Sequence, residues 1–323
     1  MKRSRFLSAA VALAACASTG WAGAQATDTV KILVGFPAGG APDAVARAYA
    51  DQLRVATGAT VVVENRAGAS GKIAIDALLA GAADGQTVAL IPSSVLALVP
   101  MVVKTAKYDA VRDFITIGSV AEYGFGVAAS QTTGIGDVAD LKTWLRGKGK
   151  AASYATPGLG TPQHFLGAQT AKALGSDLTH VPYRGGAAAL TDVIGGLVPF
   201  LITTEQLLVP YEGQGKLKPL FITSRERNPR MPNVPTAREV GLSQLESTDW
   251  FGVFAKAGTP AAKVDEMRGQ LAKVVASITY RDAMKGMGYT VPLKQSSNFT
   301  QVLQTERAAW ADRVKISGFE ATD

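Results

Sequence analysis

Two histidines, His164 and His180, are the only imidazoles in this 323-residue chain, and neither stands at a spacing that builds a metal site. No G-x-S-x-G elbow is present to expose a serine nucleophile. The string Gly68-Ala69-Ser70-Gly71-Lys72 comes nearest. It also fails as a phosphate-binding P-loop, because Arg66 and Ile73 stand where the earlier glycine and the following Ser/Thr belong. Two G-x-G-x-x-A strings begin at Gly124 and Gly134, too late in the chain for the first strand of a dinucleotide fold, and are read as turns. Enzyme chemistry therefore lacks a constellation, and neither a catalytic residue nor a metal site is expected.

What the residues do offer is backbone. The turns Pro37-Ala38-Gly39-Gly40, Pro157-Gly158-Leu159-Gly160 and Gly185-Gly186 each follow a strand pattern and precede a helix pattern. The first N–H groups of a helix have no partner inside it, the helix dipole adds partial positive charge there, and glycine lets a ligand come close. Three such turns point to an anion held by main chain. Arg184 could pair a carboxylate as a bidentate fork or brace a neighbouring loop. Asp43 is either the N-cap of the first helix or a ligand contact, and as a cap it would compete with an anion for the same N–H groups. Ser93 and Ser94 close a strand at the expected cleft face. His164 reads as a packing residue, and Trp144, Trp250 and Trp310 as core.

The elements that must position these residues alternate strand, turn and helix, as in an open α/β sheet. Strands are expected over residues 30–36, 61–64, 87–91, 152–156, 178–183, 198–203, 221–224 and 250–255. Helices are expected from Asp43, over 71–82, over 138–146, from Pro162 to a stop at Gly175, and from Gly186 to Ile194. Thr161 as N-cap and Pro162 at the first helical position mark one start plainly. Three helices close the chain, one opening at Thr259-Pro260 and another after Ser296-Ser297. The arrangement predicts two lobes.

Lys2, Arg3 and Arg5, an apolar run over residues 6–15 and the exit Ala24-Gln25-Ala26 have the layout of a secretory leader, with the mature chain starting near Thr27. The run is too short to span a bilayer, which takes roughly 20 residues. Leu13-Ala14-Ala15-Cys16 offers a competing cut with lipid attached to Cys16. Either cut leaves no disulfide, because Cys16 is the sole cysteine, so a core must hold the fold. The formal charge of +7 less the three leader cations leaves +4, and no Lys/Arg stripe interleaved with aromatics argues for nucleic acid.

Phe36-Pro37-Ala38-Gly39-Gly40-x-x-Asp43 with Ala46-Arg47, Val62-Val63-Glu64-Asn65-Arg66, Ala83-Asp84-Gly85, Tyr108-Asp109, His180-Val181-Pro182-Tyr183-Arg184-Gly185, Asn233-Val234-Pro235-Thr236 and Ala257-Gly258-Thr259-Pro260 run in order along almost the whole mature chain. Together they closely resemble the Bug family, the periplasmic substrate-binding proteins of tripartite tricarboxylate transporters. The resemblance implies a two-lobed α/β "Venus flytrap" of the periplasmic-binding-protein type, each lobe an open sheet flanked by helices. One lobe would take residues 27–125 plus 250–323, the other 126–249. It also implies a monomer with no cofactor, and a carboxylate gripped by N–H groups of the loops at Phe36 to Gly40 and Thr156 to Thr161, with Tyr183 to Gly185 nearby.

One departure stands out. Where the family has a valine, an aspartate and a strand ending in a second aspartate, this chain reads Val198-Pro199-Phe200-Leu201-Ile202-Thr203-Thr204. If the second aspartate greets an amino or hydroxyl group, Thr203 in its place predicts a ligand without an ammonium; as a bare strand end it predicts nothing. Delivery to the membrane subunits of a transporter and delivery to a sensor protein both need only closure on a ligand, and both stay open at this level.

Overall fold

The computed structural model describes residues 29–148, 152–292, 295 and 298–322. The leader with Cys16, and the Ser296-Ser297 start signal, lie outside the described residues. In chain order the elements are β1 (Thr29–Val34), α1 (Ala41–Thr57), β2 (Thr60–Asn65), α2 (Lys72–Ala80), β3 (Thr87–Pro92), α3 (Ser93–Val102) and β4 (Phe114–Ser130). There follow α4 (Val138–Lys148), β5 (Ser153–Thr156), α5 (Pro162–Ala173), β6 (Thr179–Pro182), α6 (Gly186–Ile194), β7 (Phe200–Thr204) and α7 (Glu205–Leu208). The chain closes with β8 (Leu217–Ile222), β9 (Thr248–Lys256), α8 (Ala261–Ala276), α9 (Ile278–Gly286) and α10 (Phe299–Ser317).

Local chemistry accounts for the elements. In α1, Val45, Ala46, Tyr49, Ala50 and Leu53 recur at helical spacing and are buried, and the helix stops where Gly58 turns left-handed at φ 70° and donates back to Arg54. α1 starts at Ala41 with Gly40 as its N-cap, so Asp43 lies inside the first turn and is not the cap. α3 was not expected. Ser93 and Ser94 open it rather than closing a strand, because its sequence SSVLALVPMV is buried on nearly every side and so carries no amphipathic period.

The strands lie in the order β2-β1-β3-β9-β4-β7-β5-β6, with β8 also paired to β4. β1 runs parallel to β2 and β3, and β5 parallel to β6 and β7. Each half is thus an α/β unit whose loops leave the carboxyl ends of parallel strands, where such sheets hold ligands. The two halves are joined by β4, also absent from the sequence reading. Its 17 residues pair antiparallel with β9 up to Gly124 and with β7 from Phe125 onward. The G-x-G-x-x-A string at Gly124 is therefore strand and not turn, while that at Gly134 does lie in a turn at φ 71°.

At the crossover the glycines are there for closeness. A Cβ on Gly124 would stand 2.1 Å from Ser224 Oγ, and one on Gly126 would stand 2.4 Å from a Leu208 methyl. The Gly124 N–H and the Ser224 hydroxyl both donate to the buried carboxylate of Glu205, at 3.3 and 2.9 Å. The apolar core runs through this point: Ile32 and Val34 of β1, Tyr123 and Phe125 of β4, Phe200 of β7 and Phe221 of β8 belong to one cluster. The last helix fastens the outside. Leu303 and Trp310 of α10 sink into a second cluster with α3, and beyond the helix Phe319 meets Phe165 of α5 edge-on at 5.6 Å.

Gly124→Ala is expected to cost about 1–3 kcal/mol by overpacking against Ser224. A denaturant melt showing no loss would refute the close-approach account of this glycine.

Candidate functional site

A cavity of about 910 Å³, counting its open mouth, lies between the two halves. Its wall takes Phe36, Pro37, Ala38 and Gly40 from the loop after β1, Pro157, Gly160 and Thr161 from the loop after β5, and Arg184 and Gly185 from the loop after β6. Ser94, Thr203 and Thr204 complete the set of expected residues on the wall. The remaining expected residues, Gly39, Asp43, Ser93, Thr156, Gly158, Leu159 and Tyr183, are not on the wall, and each has another task.

Asp43 is the clearest case. Its carboxylate is buried and accepts the Gly39 N–H at 3.0 Å, Arg47 Nε at 2.9 Å and Asn65 Nδ2 at 2.9 Å. Burial alone would raise its pKa, but these bonds outweigh it and hold the carboxyl below its usual range. Asn65 also donates to the Phe36 carbonyl at 3.1 Å. Asp43, Arg47 and Asn65 thus form a brace behind the first loop. No carboxylate oxygen is left to meet a ligand.

The second loop is braced in the same way. Thr156 Oγ1 donates to the Gly158 carbonyl at 3.1 Å and meets His180 Nε2 at 2.6 Å, while Thr161 Oγ1 donates to the same carbonyl at 2.8 Å. Thr161 is the N-cap residue of α5, as its sequence predicts, but its hydroxyl turns back to the loop and does not cap the helix. Tyr183 fixes the third loop, its N–H bonded to Thr156 O at 3.0 Å and its hydroxyl to Asp192 at 2.7 Å. The Gly185 N–H closes onto Pro157 O at 2.9 Å, with φ at 107°, a conformation that favours glycine.

As a result α1, α5 and α6 all start on this cavity, and among the described residues no side chain caps any of them. Ala41 and Pro42, Pro162 and Gln163, and Gly186 and Ala187 are the first-turn residues on its wall. Such starts present unpaired N–H groups and partial positive charge. Arg184 adds a full cation at the exposed rim. Between these groups the lining is apolar, with Phe36, Val95, Leu98, Val99, Leu207 and Phe251 on it.

Three features escaped the sequence reading. The first is the floor, where Asp249 of β9 and Tyr123 of β4 join Ser94. Asp249 accepts from Ser93, Ser94 and Tyr123, and these partners lie 126 to 156 residues away in sequence, so no motif links them. Behind it, Glu306 of α10 accepts Trp250 Nε1 at 2.7 Å, and burial and then the charge of Asp249 push its carboxyl up to about 7. The second is a contact across the cavity mouth: Ser70, beside Ala69 in a run of left-handed φ angles, donates to Leu159 O at 2.6 Å. The string that fails as a P-loop thus supplies a bridge between the two halves. The third is a stacked pair of imidazoles, His164 over His180, with centroids 3.9 Å apart under the second loop. The Gly160 N–H donates to His164 Nδ1 at 3.3 Å. Burial lowers His164 to about 4, and burial together with its neighbour lowers His180 to about 3. A group of three or more side chains able to hold a metal is absent among the described residues.

The family described as "Tripartite tricarboxylate transporter family receptor" matches residues 45–318. A protein from the tcbD-tcbE intergenic region of Pseudomonas sp. (strain P51) is 31% identical over 279 residues, covering 86% of this chain and 83% of that one. The periplasmic binding protein BugD superposes with a TM-score of 0.85 at 29% identity, over 91% of this chain and 99% of its own. A Rhodopseudomonas palustris protein, Rpa4515, solved with adipate, superposes with a TM-score of 0.86 at 27% identity, over 91% of this chain and 98% of its own.

Two outcomes follow from this geometry. Ser70→Ala removes a hydrogen bond that spans the cavity mouth, so it should weaken ligand binding roughly 2- to 12-fold, the worth of about 0.5–1.5 kcal/mol. Unchanged ligand dissociation in stopped flow would remove the contact from the closing mechanism. The folded protein binds protons on the His164–His180 pair less readily than the unfolded chain, whose histidines titrate near 6.5. Their contribution to stability is therefore present at pH 7 and is lost as pH falls from about 6.5 towards 4 for His164 and 3 for His180. Thermal melts from pH 7 to pH 5 should show a shallower fall for His180→Gln than for the native chain.

Proposed function

The chain belongs to the tripartite tricarboxylate transporter receptor family, and on that premise we propose that it is an exported, periplasmic solute-binding protein that captures a small carboxylate between its lobes and passes it unchanged to the transporter's membrane subunits. The observation that carries the reading is the convergence of three uncapped helix starts on one cavity, with Arg184 at its rim. A carboxylate satisfies several main-chain N–H donors at once, each a charge-assisted bond of about 1.5–3 kcal/mol. A neutral sugar would leave that positive potential unanswered. The adipate in Rpa4515 supports the same ligand class.

The lobes would be residues 27–125 with 250–323 and residues 126–249. The change of pairing partner in β4 between Gly124 and Phe125 supports that boundary. Closure then turns on the β4 crossover, brings the loop after β1 against those after β5 and β6, and excludes water, which strengthens each bond to the charged ligand. Among the described residues, the carboxylate on the cavity wall, Asp249, already accepts five hydrogen bonds and so is poorly placed to take a proton from Ser94, and both histidines lie behind the second loop. The ligand leaves as it came.

The test is a thermal-shift panel of mono- and dicarboxylates, aromatic acids, amino acids and neutral sugars on the mature protein. A ligand at about 1,000 times its Kd adds about 4 kcal/mol, enough to move Tm by several degrees. Shifts should be confined to carboxylates, and recovery of the ligand unchanged after incubation should exclude turnover. A panel in which only sugars or free amino acids move Tm would sink the carboxylate site.

A further inference from the structure

The cavity has a second pole, opposite in chemistry to the helix starts. Asp249 is buried beneath its floor and draws in five donors. Oδ1 accepts the Ser93 hydroxyl at 2.8 Å, the Trp250 N–H at 2.8 Å and the Ser94 N–H at 3.3 Å. Oδ2 accepts the Ser94 hydroxyl at 2.5 Å and the Tyr123 hydroxyl at 2.9 Å. A hydroxyl has one proton and two lone pairs. With their protons committed to Asp249, Ser94 and Tyr123 can offer the cavity only lone pairs.

We propose that Asp249 is a specificity-determining residue, selecting carboxylates whose far end carries a neutral hydrogen-bond donor, a hydroxyl or an amide N–H, over plain acids and dicarboxylates. This rests on the carboxylate-capture reading and adds the chemistry of the other end. Among the described residues, Arg184 and Asp249 are the charged side chains on the cavity wall, so the lining runs from a donor pole to an acceptor pole with apolar walls between. A second carboxylate at the floor would meet lone pairs backed by a negative charge. A plain acid would leave buried acceptors unpaired, which costs more than the bond itself is worth. An ammonium is drawn by the same charge, but with the Asp249 oxygens already occupied it would give up its strong hydration for neutral oxygens alone, a larger cost than a hydroxyl or amide meets. That accords with the absence of an acidic residue at Thr203.

Calorimetry on the mature protein with two matched series tests this: benzoate, 4-hydroxybenzoate and terephthalate, and hexanoate, 6-hydroxyhexanoate and adipate. In the series that fits, the hydroxy acid should bind about 10-fold or more tightly than both companions. Asp249→Asn, whose amide donates back to one of the hydroxyls and turns that proton into the cavity, should shrink the gap to the dicarboxylate several-fold. Tyr123→Phe, which leaves Asp249 four donors, should shrink the gap to the parent acid. If a dicarboxylate, a parent acid or 6-aminohexanoate binds as tightly as the hydroxy acid, the floor does not select and the carboxylate reading survives. If no acid of either series binds, both fall.

Discussion

The first N–H groups of an α-helix have no partner within the helix, and at α1, α5 and α6 no side chain among the described residues provides one. Buried polar groups are costly when unpaired, so these ends must either face water or meet an acceptor. The fold brings them to one cavity from strands of its two parallel units, β1 in one half and β5 and β6 in the other. Everything else near the site serves to keep those main-chain groups in place and pointed the same way. Gly40, Pro162 and Gly185 suit such starts, since a glycine N-cap has no side-chain oxygen to spend and a proline in the first turn has no N–H to lose.

The polar side chains that look functional in the sequence are mostly spent on that support. Asp43, Arg47 and Asn65 hold the loop after β1, while Thr156, Thr161 and Tyr183 hold those after β5 and β6. This division has a physical logic. A site made of main-chain donors is only as exact as its loops, and loops have little packing of their own to hold them. Each brace therefore ties a loop to a strand or a helix already fixed by the core. The stacked histidines extend the support one layer deeper, under Gly160.

β4 sets the geometry of the whole. A single extended strand is shared by the two sheets and changes its pairing partner at the glycines in its middle. There the backbone comes so near Ser224 and Leu208 that no side chain fits. The buried Glu205 ties that point to the Gly124 main chain, and burial raises its pKa despite four hydrogen bonds that work the other way. The floor cluster around Asp249 lies beside the same crossover, since Tyr123 immediately precedes Gly124. The acceptor pole of the cavity and the link between the halves are thus built from neighbouring residues.

Sequence alone determined what is local. Glycine and proline at helix starts, apolar runs at strand period and the stop at Gly175 depend on neighbours within a few residues, so the three loops and most elements were legible, and the ordered motifs carried the family. It could not show α3, whose all-round burial removes the amphipathic period, or β4, whose glycines read as turns until their close neighbours are known. Nor could it sort the named residues into wall and brace: Asp43 differs from a ligand contact only in which way its carboxylate faces. Asp249, Tyr123 and the Ser70–Leu159 contact were decided by the tertiary structure, because their partners are separated by 89 to 156 residues and meet only when the strand ends converge.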